Sequence, residues 1–324
     1  MVGTAPLRIG FLGPTGTFTE EALLTQADYA RSELVELASL AEVLDATGRG
    51  DIDLGFLPIE NAIEGTVRDT LDSLVFESDL LIQREVELDI HLHLMARPGC
   101  SLDDVREVAS MPVATAQCRK FLAATLPKAA LVATTSTAEA ARRVGTAGDA
   151  LASGVTAAIA PRLAADLYGL EILVEDVEDH PGNKTRFVAV ATHGVPTPTG
   201  HDRTTIVCFQ HADRPGSLHG IVGQFAARNI NLTKVESRPT KRALGDYCFV
   251  FDLDGHVADE VVADCLRALH AEQADVKFLG SYPAAGEAGP ARRREAGTAW
   301  REAEAWMDSI RSQIGHGAHL SIQT

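Results

Sequence analysis

Thr185 and Arg186 stand at the head of a buried run, in Asn183-Lys-Thr-Arg-Phe-Val-Ala-Val190. A guanidinium fork can grip a carboxylate through two parallel hydrogen bonds, and a threonine hydroxyl can donate to the oxygen of a leaving group. A second polar cluster lies in Asp53-Leu-Gly-Phe-Leu-Pro-Ile-Glu-Asn-Ala-Ile-Glu-Gly-Thr66. Glu60 can serve as a proton donor where burial raises its pKa, or can orient its neighbours. Asn61 can hydrogen-bond a substrate oxygen; both types also simply form loops. In Gly13-Pro-Thr-Gly-Thr-Phe-Thr19 the glycines permit a tight turn before a helix, whose first N–H groups can receive a carboxylate or phosphate. This is neither GxGxxG nor a P-loop, and a plain turn explains it as well. Ser110-Met-Pro-Val-Ala-Thr-Ala-Gln-Cys-Arg-Lys-Phe121 places Ser110 at a strand end and Gln117 inside the following helix. Capping alone accounts for Ser110.

These residues need a scaffold that delivers strand ends to one place. Residues 7–13 read as a buried strand, and Thr17-x-x-Glu20, Ser39-x-x-Glu42 and Ser136-x-x-Glu139 fit capping boxes after probable strands. Gly48 and Gly50 end the second helix. Strands alternate with helices to about residue 192, which predicts α/β structure with largely parallel sheets. Leu80 to Ala96 reads as strand leading from one lobe into another. A second set follows: strand 107–110, helix 114–126, strand 129–135, helix 136–145, and strands 155–160 and 172–177. The expected architecture is two lobes, about 1–84 plus 181–192 and about 85–180, with a cleft between them, where small ligands bind. Residues 193–202, rich in Pro and Gly, read as a linker. Residues 203–283 read as βαββαβ, the ferredoxin-like order, with Leu218, Ile221, Val222 and Phe225 buried by the first helix. The tail, 284–324, carries one expected helix around Trp300–Ile310, where Trp306 and Ile310 would pack.

Composition narrows the classes. The chain has 324 residues, 45% hydrophobic and 23% charged, as soluble globular proteins do. No apolar run approaches the ~18 residues of a membrane helix, and Met1–Leu7 shows no signal-peptide pattern. The net charge of −16 disfavours nucleic acid as a partner. Basic and acidic residues balance in the tail, so the acidic excess lies in residues 1–283. An anionic substrate must therefore be held by local N–H groups and placed cations. Five cysteines with no CxxC fit reduced thiols in a cytoplasmic protein. No metal set is visible: His91 and His93 share a strand face, but nothing nearby in sequence offers a third ligand.

Taken together, Gly13-Pro-Thr-Gly-Thr-Phe-Thr, Pro58-Ile-Glu-Asn-Ala-Ile-Glu-Gly, Ala116-Gln-Cys and Thr185-Arg-Phe resemble the prephenate dehydratase family, in that order and at suitable spacings. Pro215-Gly-Ser-Leu218, Asn229-Ile-Asn-Leu232 and Glu236-Ser-Arg-Pro239 resemble the phenylalanine-binding segments of ACT domains. No chorismate mutase segment precedes Leu7, as in the monofunctional form. Met111 stands where a histidine is common, Thr135 where some members carry glutamate, and Ser217 where alanine is usual.

The resemblance implies a periplasmic-binding-protein-like, two-lobed catalytic domain (1–192) followed by an ACT regulatory domain (203–283). It implies a lyase that converts prephenate to phenylpyruvate, water and carbon dioxide in L-phenylalanine biosynthesis, without cofactor. Thr185 is then the hydroxyl that assists the departing oxygen, with Glu60 as the alternative acid. Asn61, Gln117 and Ser110 are positioning and proton-network candidates. Thr15, Thr17, Arg186 and Phe187 would bind the substrate. Gly216, Ser217, Leu218, Asn231, Leu232, Glu236 and Ser237 would bind phenylalanine as a feedback effector between ACT domains of a homodimer or homotetramer. No membrane partner is expected. The alternatives are an arogenate dehydratase and a non-catalytic two-lobed amino-acid sensor; the sensor class requires an export signal.

Overall fold

The computed structural model describes residues 6–146, 155–210, 215–241, 245–272, 274–286, 302–303, 305–312 and 314. The chain divides into two compact units, Met1–Gly194 and Val195–Thr324.

The first unit begins with β1 (Arg8–Leu12), α1 (Phe18–Leu24), β2 (Glu33–Leu37), α2 (Leu40–Arg49), β3 (Leu54–Asn61), β4 (Gly65–Thr66), α3 (Arg68–Phe76) and β5 (Leu81–Asp89). Local signals explain the starts and stops. Thr17 Oγ1 accepts the Glu20 N–H at the head of α1, and Ser39 Oγ accepts the Glu42 N–H at the head of α2. Gly50, at φ +76°, ends α2 in the left-handed conformation. Gly55 lets α2 lie close on β3, because a Cβ there would stand 2.6 Å from Thr47 Oγ1.

After β5 the chain forms β6 (His93–Ala96), β7 (Val105–Ser110), α4 (Pro112–Gln117), α5 (Arg119–Thr125), β8 (Ala130–Ala133), α6 (Thr137–Thr146), β9 (Val155–Ala160), α7 (Arg162–Tyr168) and β10 (Glu171–Val174), then returns as β11 (Lys184–Ala191). Two sheets result, ordered β2-β1-β3-β11-β5, with β4 on β3, and β10-β6-β9-β7-β8. Each builds a lobe with its own apolar core: Ile9, Phe11, Leu23, Phe56 and Phe187 in the first; Leu94, Val108, Leu122, Ala157 and Ile159 in the second.

The sheets are mixed rather than largely parallel. β1 pairs in parallel with β2 and β3, but β11 is antiparallel to both β3 and β5; in the second sheet β6 is antiparallel to β9 and β10. The reason is the double crossing: the chain leaves the sheet after Asp89 and re-enters at the same end, with Lys184 opposite Asp89, so the returning strand must run back the other way. The outward crossing falls after Asp89 rather than near residue 85, because β5 keeps pairing with β11 as far as Asp89↔Lys184. The single helix expected at 114–126 is two, separated at Cys118 (φ −111°, ψ 17°). The Asp179 carboxylate accepts the Lys120 and Phe121 N–H groups, capping the second helix where the first has stopped. The strand expected at 172–177 ends at Val174, before a left-handed turn at Asp176 (φ +50°).

The second unit is β12 (Asp202–Gln210), α8 (Ser217–Ala227), β13 (Leu232–Pro239), β14 (Tyr247–Asp254), α9 (Glu260–Glu272) and β15 (Ala274–Pro283), an antiparallel sheet ordered β13-β14-β12-β15. This is the βαββαβ order. Ile221 and Phe225 from α8, with Val262, Cys265 and Leu269 from α9, pack on Ile206, Cys208 and Phe251 of the sheet. Leu218, expected in this core, is 40% exposed, because it sits in the first turn of α8 beyond the sheet contact. Residues 305–311 are helical, but Trp306 and Ile310 are exposed, at 62% and 41%, rather than packed; Trp300 lies outside the described residues. Among the described residues no helix is long and apolar enough to cross a membrane.

Candidate active site

The two strands that carry the sequence candidates are neighbours. β11 pairs with β3 so that Thr185 lies opposite Asn61 and Arg186 opposite Glu60. Successive strand residues point to opposite faces, so each pair belongs to a different face of the first-lobe sheet.

On one face, Asn61 Nδ2 donates to Thr185 Oγ1 at 2.9 Å. The orientation of this amide is settled by backbone groups. Asn61 Oδ1 accepts the N–H groups of Ile63 and Glu64, both at 3.0 Å, which closes the turn between β3 and β4. The NH2 group must then face Thr185. The threonine oxygen receives that hydrogen bond, and its own hydrogen is directed elsewhere.

The same face holds Asn183 and Glu64, neither of which was singled out from the sequence. Asn61 Nδ2 also donates to Asn183 Oδ1 (2.9 Å) and Lys184 O (3.2 Å). Asn183 Nδ2 donates to Gln117 Oε1 at 3.2 Å, and Gln117 Nε2 donates to Glu64 Oε1 at 3.0 Å. Gln117 is the last residue of α4, in the second lobe, and its carbonyl accepts the Asp179 N–H at 2.6 Å. Thr185, Asn61 and Gln117 are therefore brought together from both lobes.

Other candidates take different places. Arg186 is almost fully buried: its Nη1 donates to Glu85 Oε2 at 3.1 Å and its Nη2 to Glu60 Oε2 at 2.9 Å. Arg186 and Glu60 thus face away from Thr185, held in an ion cluster around the Glu85 side chain, which is 0% exposed. Phe187 is a core residue, 1% exposed and stacked on Phe56 with ring centroids 5.5 Å apart, so its ring has no surface left for a substrate. Ser110 is fully buried and its Oγ donates to Ile159 O at 2.7 Å, which ties β7 to β9. Thr17 is the buried cap of α1.

The 13–17 loop already holds carboxylates, its own. The Thr15 N–H donates to Glu36 Oε2 at 2.9 Å and the Gly16 N–H to Glu20 Oε2 at 2.5 Å. The Thr15 side chain is exposed, and its carbonyl accepts the Tyr168 hydroxyl of α7 at 2.8 Å, a further bond between lobes.

At the two crossings His91 meets partners the sequence did not reveal. Its Nδ1 lies 3.1 Å from Asp176 Oδ1 and 3.4 Å from Glu178 Oε1, three groups of metal-ligating type drawn from distant segments. Neighbouring His93 is buried, which holds its pKa below the ordinary value, with Arg162 adding to the effect.

In the second unit, Gly216, Ser217 and Leu218 line an open pocket of about 480 Å³ with Gln210, His219, Val222 and Phe249. Asn231, Leu232, Glu236 and Ser237 are not part of that lining. They lie at or on the edge strand β13, which β14 separates from β12. Asn231 Nδ2 donates to Asp254 Oδ2, and Glu236 pairs with Lys234 at 3.3 Å.

Comparison with known proteins bears on this arrangement. Residues 9–195 match the family model described as prephenate dehydratase, and residues 204–271 match that of the ACT domain. A prephenate dehydratase of Corynebacterium glutamicum is 42% identical over 287 residues, covering 86% of this chain and 88% of its own. A solved prephenate dehydratase of Arthrobacter aurescens, in complex with L-Phe, is 39% identical with a TM-score of 0.83, over 94% of this chain and 100% of its own. A further solved chain, GqqA, described as a novel type of quorum quenching acylase, is 29% identical with a TM-score of 0.76, over 86% of this chain and 98% of its own. With the first unit matched almost end to end, and with relatives above 40% identity along most of its length, the chain belongs to the prephenate dehydratase family.

Proposed function

We propose that the face carrying Thr185 binds prephenate between the two lobes and converts it to phenylpyruvate, and that L-phenylalanine feeds back through the ACT domain. The observation that carries the first part is the 2.9 Å hydrogen bond from Asn61 to Thr185 Oγ1, with the amide locked by two backbone N–H groups.

The reaction breaks the ring C–O bond and the bond to the ring carboxylate. The electron pair of the latter enters the ring as carbon dioxide leaves, hydroxide departs as water, and one proton is taken up. A threonine hydroxyl is a weak acid, so its help comes from placement. Its hydrogen points at the departing oxygen, while the Asn61 N–H stabilises charge that develops on Oγ1. Solvent water returns the proton. Gln117 keeps one amide hydrogen outside its bond to Glu64, suited to a substrate oxygen, and the Thr15 hydroxyl suits a carboxylate. Glu60 and Arg186 act as a clamp on the opposite face rather than as acid and substrate ligand.

For regulation, the pocket at Gly216–Leu218 is the proposed phenylalanine site. Pairing of two copies through their ACT domains would add the edge strand β13 of one to the pocket of the other. That accounts for the separation of Asn231, Leu232, Glu236 and Ser237 from the pocket within one chain. A cytoplasmic homo-oligomer fits this scheme.

The test is ultraviolet absorbance of phenylpyruvate after mixing the protein with prephenate, with arogenate as a second arm. Product from prephenate, and lower activity with a higher melting temperature in the presence of L-phenylalanine, are expected. No product from prephenate overturns the reading, and product from arogenate alone reassigns the substrate.

A further inference from the structure

Four residues of the candidate site close a ring. The Glu64 N–H donates to Asn61 Oδ1 (3.0 Å), Asn61 Nδ2 to Asn183 Oδ1 (2.9 Å), Asn183 Nδ2 to Gln117 Oε1 (3.2 Å), and Gln117 Nε2 to Glu64 Oε1 (3.0 Å). Every bond runs in the same sense. The sense is fixed from both ends, because a backbone N–H can only donate and a carboxylate can only accept. Turning the Asn183 amide over would set NH2 against NH2 at Asn61 and oxygen against oxygen at Gln117. Asn183 is therefore the one member that must be acceptor toward the first lobe and donor toward the second. It is 3% exposed, and its backbone carbonyl accepts the Ile90 N–H, so both chain crossings between lobes meet at this residue.

We propose that Asn183 is a positioning residue for the reaction: its side-chain amide holds Asn61 and Gln117 in one directional ring, so that the Thr185 hydroxyl and the Gln117 amide face the substrate from opposite lobes. This rests on the function proposed above. Asn183 Nδ2 and Oδ1 both bond other side chains, so the residue acts through them. Without it, Asn61 Nδ2 can swing toward Lys184 O, which it already reaches at 3.2 Å, and loosen its bond to Thr185. Gln117 loses the bond that sets which of its atoms faces the substrate. Aligned hydrogen bonds polarise one another, so a break is felt around the ring.

The experiment uses Asn183→Ala, Asn183→Asp, and Asn183→Asp combined with Glu64→Gln, with Glu64→Gln alone as reference. Aspartate presents two acceptors, so it keeps the bond from Asn61 but opposes Gln117 Oε1. Gln117 can turn over to donate to Asp, yet then sets its oxygen against the Glu64 carboxylate. Glutamine at position 64 supplies the missing donor to the turned Gln117, so the ring closes again with both of its arms converging on the aspartate carboxylate. Asn183→Ala should lower kcat about 10–100-fold, in keeping with a misplacement of ~1 Å, with KM within about threefold, as expected for a group that does not touch substrate. Asn183→Asp should be at least as slow. The double variant should recover roughly tenfold or more over Asn183→Asp, as non-additive coupling within one network requires. Melting temperatures and near-ultraviolet circular dichroism establish that each variant is folded; if Asn183→Ala does not fold, the two Asp variants decide. A wild-type enzyme active on prephenate whose Asn183→Ala form keeps kcat within twofold, or a folded double variant no faster than Asn183→Asp, overturns the proposal. A wild-type chain inactive on prephenate overturns the underlying reading instead, and this inference falls with it.

Discussion

Replacing Thr185 by valine separates chemistry from stability, and the structure supplies the size of each. The side-chain volume barely changes. The hydroxyl takes one described hydrogen bond, from Asn61 Nδ2, and that NH2 group keeps Asn183 Oδ1 and Lys184 O within 3.2 Å. No buried donor is orphaned, so the folding cost stays at the low end of about 0.5–1.5 kcal/mol. Loss of a positioned proton donor costs ~10²–10⁴-fold in rate, or about 2.7–5.4 kcal/mol in the barrier at 1.36 kcal/mol per decade. Activity must therefore collapse while the protein stays folded. The assay is steady-state phenylpyruvate formation beside a thermal unfolding curve. Thr185→Ser retains the hydroxyl and should stay within about tenfold of wild type. A Thr185→Val enzyme with kcat within twofold of wild type would refute the argument outright, whatever its stability.

Three further outcomes are expected. Arg186→Met should destabilise the fold by about 3–5 kcal/mol, because it strips the guanidinium from the buried Glu85 carboxylate; Glu85→Leu with Arg186→Met should be milder, and an unfolding free energy from urea denaturation of Arg186→Met within about 1 kcal/mol of wild type contradicts the clamp. Burial pushes the thiols of Cys118 and Cys208 up to about 12 and that of Cys265 to about 11. Folding thus retains their protons, and stability is lost as pH rises from the ordinary thiol value of 9.0 toward these values. A thiol reagent at pH 8 should label half-buried Cys100 in the native protein and the four buried thiols only after denaturation; native labelling of Cys208 would count against this. His93, held neutral by burial, accepts the Asp176 N–H at Nδ1. Its contribution is present above pH 6.5 and declines as acid protonates the ring. Melting temperature should fall faster between pH 7 and 5 in wild type than in His93→Gln, and equal slopes would exclude the role.

What the sequence disclosed and what it hid follow a physical division. Capping residues, left-handed glycines and apolar periods are local, and they marked α1, α2, α6 and the βαββαβ unit. Thr185 and Asn61 were singled out as polar residues at strand ends and Gln117 as one inside a helix, and the structure brings the three together. Long-range choices were hidden. Whether Arg186 meets a substrate or Glu85 depends on a partner 101 residues away, and Asn183 gains its importance from Gln117, 66 residues away. The break at Cys118 required Asp179, which no helical period reports. Phe187 and Ser110 looked chemical beside motif residues but serve packing, since the strand that presents a functional side chain must also anchor itself.

The ion cluster on the far face of β11 bears on how the catalytic domain assembles. Strand side chains alternate with a period of two, so sliding β11 by one position would exchange Thr185 and Arg186 between faces. The guanidinium would then miss Glu85 and Glu60 and leave two acids stranded, while the hydroxyl would point into the lobe interior. A misaligned sheet is thus penalised at the residue next to the proposed catalytic threonine. The two adjacent residues work as a proofreading pair: whichever molecules fold stably enough to survive already have their threonine on the correct side.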